Sequence, residues 1–296
     1  MSDSLESLTR KMGGARDLAS VVRTMKALAA SSVGQYETAV RSLVDYFRTV
    51  ELGLVACVGN DHAAAFPGHE REGTGVIGAV VFGSDQGLVG QFNDILTDFV
   101  VRTLNAIPGG KEVWAVGERI HSRLADAGLP VAGLFAVPGS VGAITPLVGQ
   151  IQVVFEQRRA QGKYSRVYLF HNRPGSAASY QPASQRLLPL DEQWRNKLAT
   201  LRWPTRMLPE ILTGDKPTLH ALIREYLFVS LYGTCAESLA SENSSRLMAM
   251  QRAEKNIDEL LETLTRNFNR LRQTSIDEEL FDVISGFEAL SGSGKS

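Results

Sequence analysis

Proline placement constrains this chain more than any other feature. All 11 prolines fall between Pro67 and Pro217, so both ends lack the residue that most strongly breaks a helix interior. Each end is therefore free to form a long helix. In the first segment, apolar or small residues recur at Leu5, Leu8, Met12, Ala15, Ala19 and Val22. After phase slips near Met25 and Ala29, the pattern resumes at Val33, Tyr36, Val40, Leu43, Phe47, Val50 and Leu54. That second run steps by about 3.5 residues, the period of a left-handed coiled coil. The last segment carries a similar stripe, Leu247, Met250, Ala253, Ile257, Leu260, Leu264, Phe268 and Leu271, separated by charged residues such as Arg252, Glu254 and Asp258. Helices over about 3–58 and 217–290 would be roughly 80 and 110 Å long at ~1.5 Å per residue. Such helices are expected to pair antiparallel, one overhanging the other; the alternative is a pair folded back on a globular core.

Between them the sequence alternates strand and helix patterns. Val76–Phe82 (VIGAVVF) is a continuous apolar run of buried-strand length. Helices are expected at Asn93–Asn105, Glu118–Ala127 and Val141–Gln161, with strands at Glu112–Val116, Val131–Phe135 and Arg166–Phe170, and an edge strand at Tyr180–Leu190. This order predicts an α/β fold, an open and mostly parallel Rossmann-like sheet covered by helices. The expected organisation is a helix over 1–60, a linker over 61–74, an α/β domain over 75–192, a second linker over 193–216, a helix over 217–290 and a disordered tail over 291–296.

Charge and motif content narrow the function. Lysine and arginine total 31 against 32 acidic residues, which argues against a globally cationic nucleic-acid binder. The polar start has no signal-peptide core, and no apolar run reaches the roughly 18 residues of a membrane span, so a soluble or peripheral protein is expected. Cys57 and Cys235 are too few for a disulfide scaffold. Gly73-Thr74-Gly75-Val76-Ile77-Gly78 spells GxGxxG, but a dinucleotide fingerprint needs those glycines after a strand and opening a helix. The terminal Gly294-Lys295-Ser296 has Ala289 where a phosphate-binding loop needs its first glycine. The five histidines show no metal spacing. No catalytic constellation emerges, and neither a cofactor nor a metal is expected.

Three blocks together carry a resemblance. Ser84–Asn93, SDQGLVGQFN, resembles the SDRGLCGGLN signature of the gamma subunit of F-type ATP synthases. Val22–Ser31, VRTMKALAAS, is similar to the family's TKAMKMVAAAK. Near the end, Ser245–Met250, Asn267–Gln273 and Ser275–Leu280 resemble the family's ARMVAM, YNKARQ and SITQEL in order and spacing. The signature positions are Ser84, Asp85, Gln86, Gly87, Gly90 and Asn93.

The resemblance implies a central stalk without catalytic residues. Its terminal helices would form an antiparallel coiled coil inside a ring of three alpha and three beta subunits, with the epsilon subunit and the membrane c-ring as further partners. Ion flow would turn the shaft and drive the beta sites through different nucleotide affinities. Beta-subunit coupling contacts are expected at Met25, Lys26, Arg246, Arg272, Gln273 and Asp277, and an apolar bearing tip at Phe281, Val283, Ile284, Phe287 and Leu290. The implied location is peripheral, on the cytoplasmic side of a bacterial inner membrane. Departures include Gln86 for the signature arginine, Val89 for its cysteine, Asp277 for a usual threonine, and Gly13-Gly14 within the first helix. The pattern resembles a divergent bacterial member, with the alternative sodium-coupled type as the expected subtype. Two other readings stay open on the residues alone: a non-rotary coiled-coil adaptor, and a small α/β nucleotide-binding enzyme using Gly83–Gly90.

Overall fold

The computed structural model describes residues 4–58, 75–175, 179–190 and 214–292, together with scattered positions from 194 to 211. The first helix, α1, runs over Leu5–Val58, and the last, α5, over Asp215–Gly292. The expected 61–74 linker lies outside the described residues, as does the tail beyond 292. The chain divides into two compact units: residues up to Leu28 with those from Leu247 on, and Ala29–Arg246.

The second unit contains the sheet. Its elements follow as β1 (Val76–Phe82), α2 (Phe92–Ala106), β2 (Lys111–Val116), α3 (Glu118–Asp126), β3 (Val131–Phe135), a short 3-10 turn at Val141–Ala143, α4 (Ile144–Ala160), β4 (Tyr164–Pro174) and β5 (Tyr180–Leu188). Strand order is β3-β2-β1-β4-β5. The first four strands pair in parallel and β5 returns antiparallel along β4. The apolar run of β1 is explained by burial on both faces. Ile77, Ala79 and Val81 pack with α2 and α3, whereas Val80 and Phe82 face α4 and the Leu231–Ala240 stretch of α5. Strand β4 extends beyond the expected Arg166–Phe170 because His171–Pro174 pair with Tyr180–Ala183 in the hairpin.

The first unit is an antiparallel helical pair. Ala19 and Val22 of α1 share an apolar seam with Met250 and Ile257 of α5, flanked by Met25, Ala249, Ala253 and Leu261. Two expectations about the stripes need correction. Leu260 is 49% exposed, and the seam passes through Leu261 instead, because successive steps of 4 and 3 from Ile257 reach 261 and 264. The phase slip near Ala29 is absent: Val22, Ala29 and Tyr36 are all buried at seven-residue intervals, so the α1 stripe is continuous.

Candidate functional site

The loop after β1 closes on itself. Ser84 is fully buried; its backbone N–H donates to Asn93 Oδ1 at 3.1 Å, and Asn93 Nδ2 donates back to Ser84 Oγ at 2.8 Å. Ser84 Oγ in turn donates to the Gln86 carbonyl at 2.8 Å. The Asp85 carboxylate accepts the backbone N–H of Glu118 at 3.0 Å, at the start of α3, and that of Val137 at 3.2 Å. Gly83 is required where the loop passes α3, since a Cβ there would lie 2.2 Å from that of Ile120. Gly90 adopts φ +58°, a conformation natural to glycine. Gln86 and Gly87 are exposed.

Helix α5 covers this end of β1. Ser238 Oγ donates to the Phe82 carbonyl at 2.9 Å, and Ser245 Oγ to the Val89 carbonyl at 2.5 Å. Open α/β sheets bind ligands outside the carboxyl ends of their strands, at the point where strand order reverses. Here that point, between β1 and β4, is occupied by the chain's own helix. The side chains of Ser84, Asp85 and Asn93 are committed to holding the fold. Of the GxGxxG run, Gly75 precedes β1 and Gly78 lies inside it, while Gly73 and Thr74 fall outside the described residues.

The expected coupling residues divide into engaged and open positions. Arg246 donates to Glu242 at 2.6 Å and to Asn243 at 3.3 Å, and its side chain is only 16% exposed. Burial pushes the Glu242 carboxyl above its ordinary value, against the pull of the Arg246 charge. Arg246 is thus an internal partner. Met25 flanks the helical seam, and Lys26 forms an ion pair with Glu254. Arg23 reaches the same carboxylate at 3.2 Å and Asp258 at 3.8 Å. The hydrogen bond from Lys26, joined by that from Arg23, holds Glu254 below the usual carboxylate range.

Arg272, Gln273 and Asp277 are exposed, and their side chains make no hydrogen bond or ion pair among the described residues. Phe281, Val283 and Ile284 are 72%, 70% and 46% exposed, and Ile276 and Leu280 continue the apolar surface. The side chains of Phe287 and Leu290 lie outside the described part of the helix. Sequence reasoning missed Glu254 as the acceptor for Lys26, and Ser238 and Ser245 as anchors. The serine-rich spacing on α5 was the available signal for the anchors; the Glu254 pairing needed the helical register.

A family model described as ATP synthase matches residues 4–290. The ATP synthase gamma chain of Nitrosomonas eutropha is 30% identical over 75% of this chain and 76% of its own length. The chain belongs to the ATP synthase gamma chain family. The gamma chain of Syntrophus aciditrophicus is 27% identical, covering 97% of this chain and 99% of the relative. Among solved structures, a chain of the Euglena gracilis mitochondrial ATP synthase OSCP/F1/c-ring assembly shares the fold, with a TM-score of 0.64 and 16% identity, over 99% of this chain and 96% of that one. For a gamma chain, the signature loop described above is a clasp that fastens the sheet to the last helix.

Proposed function

We propose that this chain is the rotating central shaft of a membrane ion-translocating F-type ATP synthase, a non-catalytic subunit that transmits work between an ion-driven c-ring and three catalytic beta subunits. The observation that carries the reading is the match of the family model along residues 4–290, both long helices included. The partners are three alpha and three beta subunits, the epsilon subunit and the c-ring. The place of action is the cytoplasmic face of a bacterial inner membrane, with attachment through the complex. Among the described residues no helix is long and apolar enough to cross a membrane.

The physical mechanism is differential binding. A shaft whose faces differ stabilises a different beta conformation on each side, so rotation shifts the nucleotide affinity of each site in turn. The helical pair supplies such faces. One edge carries Arg23 and Lys26 locked to Glu254, whereas the end of α5 offers Arg272, Gln273 and Asp277 without internal partners. Guanidinium contacts to a partner's carboxylate would be charge-assisted yet reversible, as a turning contact requires. Arg246 would have to leave Glu242 before gripping a partner, so its coupling role is the more costly one. Phe281, Val283 and Ile284 would run against the apolar collar of the hexamer.

Native mass spectrometry of the tagged chain, released gently from its own membranes, tests the assembly. One copy with three alpha and three beta chains supports the shaft; a homo-oligomer without them refutes it. In that complex, Arg272→Ala with Gln273→Ala is expected to reduce ATP-driven ion pumping by about tenfold, a loss of roughly 1.4 kcal/mol in coupling.

A further inference from the structure

A cavity of about 730 Å³ opens beside the β4–β5 hairpin, within the size range of small-molecule sites. One wall is aromatic: the rings of Phe47 and Trp194 each lie 5.4 Å from that of Tyr226. The opposite chemistry comes from Arg48, Arg173 and Arg186, whose three guanidinium groups outnumber the two carboxylates present, Glu51 and Glu237. Glu237 is already neutralised by its neighbours. Arg173 Nε donates to it at 3.2 Å, and His171 Nε2 lies 2.7 Å from the same oxygen. Burial alone would raise the Glu237 carboxyl, but the His171 hydrogen bond and the Arg173 charge outweigh it and hold the group low.

His171 belongs to the same wall. It lines the cavity and is 1% exposed, and its Nδ1 has no hydrogen-bond partner. That nitrogen is enclosed by protein and out of reach of a molecule in the cavity, so His171 acts on the site through Nε2, which holds Glu237. The shaft reading uses none of these groups.

We infer that this cavity binds a small phosphate-bearing molecule with an aromatic or aliphatic body. Guanidinium forks match phosphate oxygens in pairs, and the Phe47–Tyr226–Trp194 wall accepts the apolar part. A soluble phosphate ester and a lipid headgroup share this chemistry.

Isothermal titration of the full-length chain tests the site, with 1-naphthyl phosphate, 1-naphthol, inorganic phosphate and dihexanoyl phosphatidic acid as probes. A phosphate carrying an apolar body should bind with a stoichiometry of one, at least about tenfold more tightly than inorganic phosphate, with naphthol weaker still. Tighter binding of phosphatidic acid identifies a lipid source; tighter binding of naphthyl phosphate identifies a soluble ester. Arg48→Gln with Arg186→Gln should weaken binding by about tenfold or more. Val44→Trp, at an exposed position on the cavity wall, should block it while leaving every ion pair in place. Circular dichroism verifies that both variants remain folded. Absence of saturable binding by either apolar phosphate, or binding unchanged in both variants, overturns the proposal. Neither result bears on assembly with alpha and beta subunits, so the two readings fail separately.

Discussion

The α/β unit buries apolar side chains on both faces of its sheet, whereas the helical pair of the other unit buries one narrow seam. Leu96, Val100 and Leu104 of α2 are fully buried against β1 and β2, for example. In the helical pair, Leu18, Val21 and Leu28 are all more than half exposed although they lie on the same helix as the seam. Apolar area withdrawn from water is the main source of stability. The sheet unit thus has what it needs within the chain. The helical pair keeps apolar surface that becomes favourable only when a partner covers it.

The largest test of this difference is truncation at matched leucines. Leu96→Ala should cost about 2–5 kcal/mol, and Leu264→Ala, at 9% exposure in a thin seam, less than half as much. Native-state hydrogen exchange reads both, and equal costs would break the comparison. Next comes the clasp. Asn93→Ala leaves the buried Ser84 N–H without an acceptor, while the Ser84 hydroxyl keeps only the Gln86 carbonyl, and should cost about 1–3 kcal/mol in chemical denaturation.

In the helical pair, Gly14→Ala should add about 1 kcal/mol of helix stability, because a Cβ there meets nothing within 4 Å. Slower amide exchange around residue 14 would register the gain. Acid titration probes the sheet unit. Burial alone would raise the Glu112 carboxyl, but hydrogen bonds from Lys163 and Tyr164 and the Arg158 charge hold it low. Its contribution is therefore present above the ordinary carboxylate value of about 4.3 and lost as pH falls through the lower folded value. Glu112→Gln should flatten that part of the acid-unfolding curve. Smallest of all, Phe281→Ser should change the stability of the free chain by less than about 0.5 kcal/mol. The same substitution should impair ATP-driven pumping by the assembled complex; a large loss of stability in the free chain would show that Phe281 has an internal partner after all.

Much of the fold was legible because β1 and the helical stripes leave few alternatives. Val76–Phe82 and Val131–Phe135 match to the residue: the first is a continuous apolar run of strand length between Gly75 and Gly83, and the second starts directly after Pro130. The end of β4 does not, because His171–Arg173 are polar and become strand only through pairing with β5. Leu260 and Leu261 are chemically alike, so composition could not say which entered the seam; the path of the partner helix decides it. The same limit hid the ion pairs. Lys26 could be singled out along the chain, but Glu254 becomes its partner only once two distant helices are set in register. His171 and Glu237 are brought together in the same way, by strand β4 meeting α5.

The serine anchors on α5 have a consequence for how such a chain can change over time. Ser238 and Ser245 hold the carbonyls of Phe82 and Val89, and Ser84 holds the carbonyl of Gln86. Every residue type presents that same oxygen. Side chains at 86 and 89 can therefore be exchanged without unfastening the helix, provided the backbone keeps its path. Glutamine in place of arginine and valine in place of cysteine are substitutions of this kind. At these two positions the fastening is written in the shape of the loop, and the lettering is free to drift, at 89 within the size that its buried place allows.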